Sequence, residues 1–151
     1  MRLSDALAED AVEIRAKARD WEEAVRKAGG LLVRSGAAEE RYTGAMVSMI
    51  KRCGPYVVIA PGLAVPHARP EEGALRAGLG VLVLEKPVEF GSTENDPVDI
   101  LIPFSSGSTD AHLEILSLLA SFLARPGMLD RIRVSRSPHE VRALFGEWGN
   151  G

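Results

Sequence analysis

The chain has 151 residues, of which 46% are hydrophobic and 26% are charged, and this composition predicts one compact domain over residues 1–151. Aromatic residues make up only 5%, the formal net charge is −3, and no Lys/Arg-rich block appears, so we expect no nucleic-acid partner. The single cysteine excludes an intrachain disulfide and a cysteine-rich metal site. The charged N-terminus and the short apolar stretches predict a cytoplasmic protein that does not itself insert into a membrane.

The first sixty residues predict a strand, two helices and a second strand. The signals are weak alternation, helical spacing of apolar residues and a run of β-branched residues. Asp20 is a predicted N-cap, and Gly54-Pro55 is a predicted stop for the second helix. The expected elements are a strand over 12–18, a helix over 21–33, a helix over 39–52 and a strand over 56–60.

The rest of the chain predicts three strands followed by three helices. Asp110 is the expected N-cap of the first of these helices, and Pro103 is expected at a bend or a sheet edge. The strands are expected over 77–84, 88–90 and 98–104, and the helices over 111–124, from 128 and from 138. The residues of the helix over 111–124 expected to face the core are Leu113, Leu116, Leu119, Ala120 and Leu123. Because strands and helices mix without strict βαβ repetition, we expect an α/β fold with a mixed sheet.

The segment APGLAVPHARP, residues 60–70, places one of the three histidines in a loop rich in proline. Pro66 fixes its own φ angle, and Pro61 and Pro70 restrict the residues before them, so this His67 loop should be stiff. Two interpretations are open. His67 is either an ordinary histidine of a loop or turn, or a nucleophile that accepts a phosphoryl group on one ring nitrogen while the other donates a hydrogen bond.

His112 is the natural companion of His67, because it lies in the first turn of its predicted helix, behind a small polar loop. Free N–H groups and the positive end of a helix favour bound phosphate. The hydroxyl groups that can add donors are those of Ser106, Ser108 and Thr109. The alternative is simple capping of the helix, with His112 pointing to solvent. The negative charge of Asp110 would oppose a phosphate that lay close to it.

The remaining polar candidates have simpler explanations. His139 is expected to belong to the surface of the last helix, and Cys53 to act as a small hydrophobic residue. Arg69 is either a fork for phosphate or an ordinary surface charge. Lys51 and Arg52 suit the negative end of their helix. The histidines lack the spacing of a metal site, so we expect no bound metal.

Two segments resemble a known family. GPYVVIAPGLAVPHARPE (54–71) and DPVDILIPFSSGSTDAHLEILSLLASFL (96–123) are similar to the EIIA component of the bacterial phosphoenolpyruvate:sugar phosphotransferase system. The resemblance is to the mannitol/fructose class, with the first segment closest to its ascorbate-type branch, and it covers nearly the whole chain. It implies a single domain in which a mixed β-sheet is flanked by helices.

The resemblance also implies an activity and its residues. In this family, a histidine at the position of His67 takes phosphate on Nε2 from the phosphohistidine of HPr and passes it to a cysteine of EIIB. His112 matches the second histidine, which positions the phosphate, and the family's supporting arginine falls at Lys51. No cofactor is expected, and contact with the membrane is expected only through EIIB and EIIC. We expect HPr and EIIB to dock around His67, with small apolar residues near the centre: Leu63, Ala64 and Val65.

Two other functions remain open at this stage. Some relatives regulate a partner through their phosphorylation state instead of feeding a permease, and phosphate would still be carried by His67. A scaffold that kept the fold and lost the chemistry is disfavoured by the intact pair of His67 and His112. The sugar, ascorbate or a related compound, is suggested only by the loop resemblance.

Overall fold

The computed structural model describes residues 1–148, which form a mixed β-sheet with helices packed against it. The helices are α1 (Leu3–Ala6), α2 (Trp21–Arg34), α3 (Glu40–Cys53), α4 (Thr109–Leu123), α5 (Met128–Arg133) and α6 (Pro138–Trp148). The strands are β1 (Leu7–Ala16), β2 (Val58–Ala60), β3 (Leu63–Ala64), β4 (Gly78–Val88), β5 (Val98–Leu101) and β6 (Phe104–Ser105). A short 3-10 turn covers Pro70–Glu72.

The strand order of the sheet is β1-β4-β5-β3-β2, and β6 pairs with β4 beyond the end of β5. Two pairings are parallel, β1 with β4 and β3 with β5. The other three pairings are antiparallel: β2 with β3, β4 with β5, and β4 with β6. The predicted mixed sheet of an α/β fold is therefore confirmed. The strand order brings β3, which leads into the His67 loop, beside the β5–β6 segment that leads into α4.

The ends of α2 and α3 follow their local sequence. The Asp20 carboxylate accepts a hydrogen bond from the Glu23 N–H at 2.9 Å, as expected of an N-cap. Gly54 has φ +82° and donates its N–H to the Ile50 carbonyl at 2.8 Å, which ends α3 where predicted. α2 packs against β4 and β1, and α3 packs against α2. The predicted helices over 21–33 and 39–52 are confirmed within a residue or two.

The strand predictions were wrong in several places. The first strand covers Leu7–Ala16 instead of 12–18, the strand expected over 56–60 begins at Val58, and β3 was not expected. The strands expected over 77–84 and 88–90 are one strand, β4. Its pairing with β1 ends at Leu84, so Pro87 lies where that side of β4 has no neighbouring strand. The missing N–H of proline therefore costs no hydrogen bond there. The segment over 98–104 divides around Pro103: β5 pairs with β3 and β4, whereas β6 pairs only with β4.

The predicted N-cap of α4 was wrong, and its predicted core face was partly wrong. Leu119 is buried and Leu116 and Leu123 pack against the core as expected. Leu113, however, is 61% exposed and Ala120 is also exposed, and the other buried residues of the helix are Ile115 and Phe122. Leucine and alanine occur on every side of this helix, so the apolar pattern alone does not identify the packed face. Ser108, instead of Asp110, caps the helix by accepting the Ala111 N–H at 3.2 Å. No helix within residues 1–148 is long and apolar enough to cross a bilayer.

Candidate functional site

Backbone hydrogen bonds hold the His67 loop on both sides. The Val65 N–H donates to the Val57 carbonyl at 2.9 Å, and the Phe104 N–H donates to the Pro66 carbonyl at 3.1 Å. The neighbours of His67 in the chain, Pro66 and Ala68, are buried, while the His67 side chain is only partly covered. The loop is therefore stiff because it is paired to the sheet, in addition to the φ restriction of its prolines.

The His67 ring is held in one orientation by its own loop. Nδ1 lies 2.9 Å from the carbonyl oxygen of Val65. A carbonyl oxygen can only accept a hydrogen bond, so Nδ1 carries the proton and Nε2 keeps the free lone pair. The geometry therefore makes Nε2 the nucleophilic atom of the neutral ring.

Three aromatic rings surround His67. Phe104 stacks on it with ring centroids 4.7 Å apart and an interplanar angle of 28°. Tyr56 meets it edge-on at 5.8 Å, and His112 lies at 5.0 Å with an angle of 72°. Phe104 also contacts His112, at 5.1 Å, so one phenyl ring touches both histidines. The fold thus brings together two histidines that are 45 positions apart (112 − 67) in the sequence.

Burial governs the protonation of both histidines. It lowers the pKa of His67 below 6.5, assisted by nearby His112 and opposed by the Val65 hydrogen bond. Burial also lowers the pKa of His112. The unfolded chain therefore binds more protons than the folded protein at pH values between the lowered pKa and 6.5. Stability is lost as the pH falls through this window, and near pH 7 His67 is neutral and nucleophilic.

A pocket of about 320 Å³ opens beside the two histidines. Its polar lining includes Arg69, Glu71 and Thr109, and its apolar lining includes Met49 and Tyr56. Thr109 is the first residue of α4, so the positive end of that helix faces the same region. A pocket with a nucleophilic imidazole, a second imidazole, an arginine and a helix N-terminus suits a transferring phosphoryl group. Within residues 1–148, no three His, Cys, Asp or Glu side chains are grouped so that they could hold a metal ion.

Residues 5–148 match the sequence model of a protein family that is described as "Phosphoenolpyruvate-dependent sugar phosphotransferase system, EIIA 2". The chain belongs to this EIIA family. It is 41% identical over 147 residues to an ascorbate-specific EIIA component from Escherichia coli strain K12, a match that covers 96% of each chain.

Two solved structures share the fold of this EIIA protein. The mannitol-specific cryptic enzyme IIA CmtB from Escherichia coli is 32% identical, with a TM-score of 0.86 over 97% of this chain and 99% of that one. The enzyme IIA of mannitol from Escherichia coli, in complex with phosphorylated enzyme IIB, is 27% identical. Its TM-score is 0.80, over 93% of this chain and 96% of that one. The mannitol-type EIIA fold expected from the sequence is thereby confirmed.

Several predicted supporting residues of the EIIA protein lie elsewhere. Lys51 forms an ion pair with Glu22 of α2 at 3.1 Å and does not line the pocket. Ser106 is buried and its hydroxyl donates to the Ser108 carbonyl at 3.3 Å. The Ser108 hydroxyl is used as the α4 cap. Only Arg69 and Thr109 of the supporting set line the pocket with the histidines.

The predicted docking residues Leu63, Ala64 and Val65 are buried and cannot form a surface. Leu63 and Ala64 are the whole of β3, which lies between β2 and β5 inside the sheet, so that part of the prediction was wrong. Sequence reasoning also missed Tyr56 and Phe104. The available signal was their position, since Tyr56 begins the predicted strand over 56–60 and Phe104 ends the predicted strand over 98–104.

Proposed function

We propose that this EIIA protein is a cytoplasmic phosphocarrier. It accepts a phosphoryl group from phospho-HPr on His67 and passes it to a cysteine of an EIIB partner. The observation that carries this proposal is the hydrogen bond between His67 Nδ1 and the Val65 carbonyl, which leaves Nε2 free beside the pocket. The ascorbate-specific relative supports ascorbate as the sugar, and the solved complex of a related IIA with its IIB supports the acceptor.

The first transfer needs one lone pair and no proton acceptor. His67 Nε2 attacks the phosphorus, a new N–P bond forms, and the N–P bond of the donor phosphohistidine breaks with its electron pair returning to the donor ring. The Nδ1 proton stays on His67, where the Val65 carbonyl stabilises the positive charge that develops on the ring. In the second transfer the EIIB thiolate attacks the same phosphorus, and the electron pair of the broken bond returns to Nε2.

The main role of the surrounding groups is to stabilise the charge on the oxygens of the phosphoryl group, and they form no bond to phosphorus. His112 presents its ring 5.0 Å from that of His67, and Thr109 and Arg69 line the same pocket. Fixed donors of this kind act on the charge of the transition state, which is the main catalytic contribution in phosphoryl transfer. Ser106 and Ser108 have no direct part in the proposal, because their hydroxyls are engaged elsewhere.

The docking surface proposed here replaces the buried residues expected from the sequence. Tyr56 is 40% exposed and contacts His67, and Leu113 is 61% exposed and follows His112 in α4. Exposed apolar residues beside a reactive ring suit transient contacts with two partners in turn.

The test is phosphorylation of the purified protein by phosphoenolpyruvate, EI and HPr, followed by intact mass. The wild type should gain the acid-labile mass of one phosphoryl group, and His67→Ala should gain none. His139→Ala is the matched control, because His139 lies in α6 and should leave labelling unchanged. Phosphate should then move to the EIIB of an ascorbate system faster than to the EIIB of a mannitol system. Labelling of His67→Ala at the wild-type rate would refute the assignment.

A further inference from the structure

Tyr42 lies in α3 beneath the His67 loop and is fully buried, at 1% exposure. Its hydroxyl accepts the N–H of Ala68 at 3.1 Å and lies 2.8 Å from the Phe104 carbonyl, to which it donates. The Ala68 carbonyl is also 3.1 Å away, but the single hydroxyl proton goes to the nearer oxygen. Burial raises the pKa of Tyr42 to about 12, so the hydroxyl keeps this proton near neutral pH.

This one hydroxyl joins the two segments that carry the histidines. Ala68 directly follows His67, and Phe104 begins the stretch that leads through Ser105–Ser108 into α4 and His112. The Phe104 N–H also donates to the Pro66 carbonyl. Both the N–H and the carbonyl of Phe104 are therefore bonded to groups that hold the His67 loop. Its ring then contacts both imidazoles, at 4.7 and 5.1 Å.

We propose that Tyr42 and Phe104 are positioning residues that hold His67 and His112 in the relative geometry needed for phosphoryl transfer. The proposal rests on the proposed function for its catalytic consequence. Neither residue reacts: Tyr42 fixes the backbone after His67 while the Val65 carbonyl fixes its ring, and Phe104 supplies the surface against which both rings pack.

The Tyr42 hydroxyl matters because it bonds the backbone of the residue that directly follows His67. The Ala68 N–H is buried, and its partner is the Tyr42 oxygen. Removing that oxygen leaves the N–H and the Phe104 carbonyl short of a partner, and the chain must shift to reach others. A shift of the His67 ring weakens its bond to Val65 and frees the ring to adopt the other tautomer, with the proton on Nε2.

The experiment compares Tyr42→Phe with the wild type by two independent readouts. Long-range ¹H–¹⁵N spectra of the histidine rings report the His67 tautomer in the unphosphorylated protein. Wild type should have the proton on Nδ1 only, and Tyr42→Phe should have a mixture. Rapid-quench transfer from phospho-HPr should be roughly tenfold to hundredfold slower in Tyr42→Phe, the scale expected for a misplaced reacting group.

The matched control is Val12→Ala. Val12 is buried in β1, which pairs with β4 at the opposite edge of the sheet from β2. Urea unfolding gives the free energy of unfolding of both variants, so that their tautomers and transfer rates are compared at similar losses of stability. The control should keep the wild-type tautomer and rate. Wild-type behaviour of Tyr42→Phe, or equal effects in both variants, would overturn the proposal.

A second variant covers the case in which Tyr42→Phe does not fold. Phe104→Leu keeps the backbone carbonyl that Tyr42 bonds but removes the ring shared by the histidines. It should lose the nuclear Overhauser contact between the His67 and His112 rings and slow transfer about tenfold. A retained contact with a wild-type rate would overturn the proposal. If wild type takes no phosphate from phospho-HPr, the proposed function fails, and the tautomer and ring-contact spectra alone decide the positioning claim.

Discussion

The ion pair between Arg133 of α5 and Asp99 of β5 should anchor the start of the His67 loop. Arg133 Nε lies 2.6 Å from Asp99 Oδ2, and Nη2 lies 3.0 Å from Oδ1, which is a two-bond fork. The Gly62 carbonyl accepts the N–H groups of Asp99 and Ile100. The start of the His67 loop is therefore bonded to Asp99, the same residue that pairs with Arg133. The perturbation is Arg133→Met, which keeps the length of the side chain and removes both bonds.

The expected cost follows from the partial burial of the pair. Fully buried bonds to charged groups contribute ~1.5–3 kcal/mol each, whereas exposed pairs contribute roughly 0–1 kcal/mol. The side chains of Arg133 and Asp99 are 34% and 20% exposed, so solvent screens part of the attraction. We expect a coupling energy of about 1–2 kcal/mol. Arg133→Met should lower the urea midpoint by at least about 0.5–1 M for a slope near 2 kcal/mol/M, because it also removes the bond to Asp130.

The assay is a double-mutant cycle of Arg133→Met and Asp99→Asn, with unfolding in urea followed by circular dichroism. The cycle removes the separate contribution of Asp130, which also bonds Arg133 at 2.8 Å. The pair of Arg131 and Glu147 is the control, because both side chains are more than half exposed and their bond is 3.4 Å. Its coupling should be ~0.5 kcal/mol or less. Equal coupling energies in the two pairs would refute the reasoning.

Three further predictions concern the site and its loop. An NMR titration of His67 should give a midpoint below 6.5, because burial disfavours the charged ring, and a midpoint at or above 6.5 would contradict that account. Gly62→Ala should destabilise the protein by at least ~1–2 kcal/mol in urea unfolding, because φ is +80° and the new Cβ would lie 2.9 Å from Arg133 Nη2. An unchanged midpoint would mean that the loop relaxes freely. Lys51→Ala should leave the rate of phosphoryl transfer within a factor of two, because Lys51 pairs with Glu22 away from the pocket. A tenfold loss of rate would show that Lys51 acts in the site.

Most of the secondary structure could be predicted because its signals are local. The cap at Asp20 and the stop at Gly54 act through hydrogen bonds within a few residues, and both helices they bound lie where expected. The errors in the strands arose where a distant strand decides the outcome. The strand through Pro87 continues because its β1 neighbour has ended, which no local pattern reveals.

The sequence by itself determined the family and which two histidines to examine. A histidine between prolines and a second histidine in the first turn of a helix identified the family and the two residues that line one pocket, His67 and His112. These assignments need only residue types and short spacings, because loop stiffness and helix ends are properties of a few consecutive residues.

Only the tertiary structure decided how the side chains of the site are arranged. The proton on Nδ1 of His67 depends on the Val65 carbonyl, which the folded loop turns toward the ring. The phenyl ring that contacts both histidines belongs to Phe104, at the start of β6. The direction of Lys51 toward Glu22 and the burial of Leu63–Ala64 inside the sheet also depend on neighbours far along the chain. Packing between distant segments sets these features, so they could not be predicted from the residues beside them.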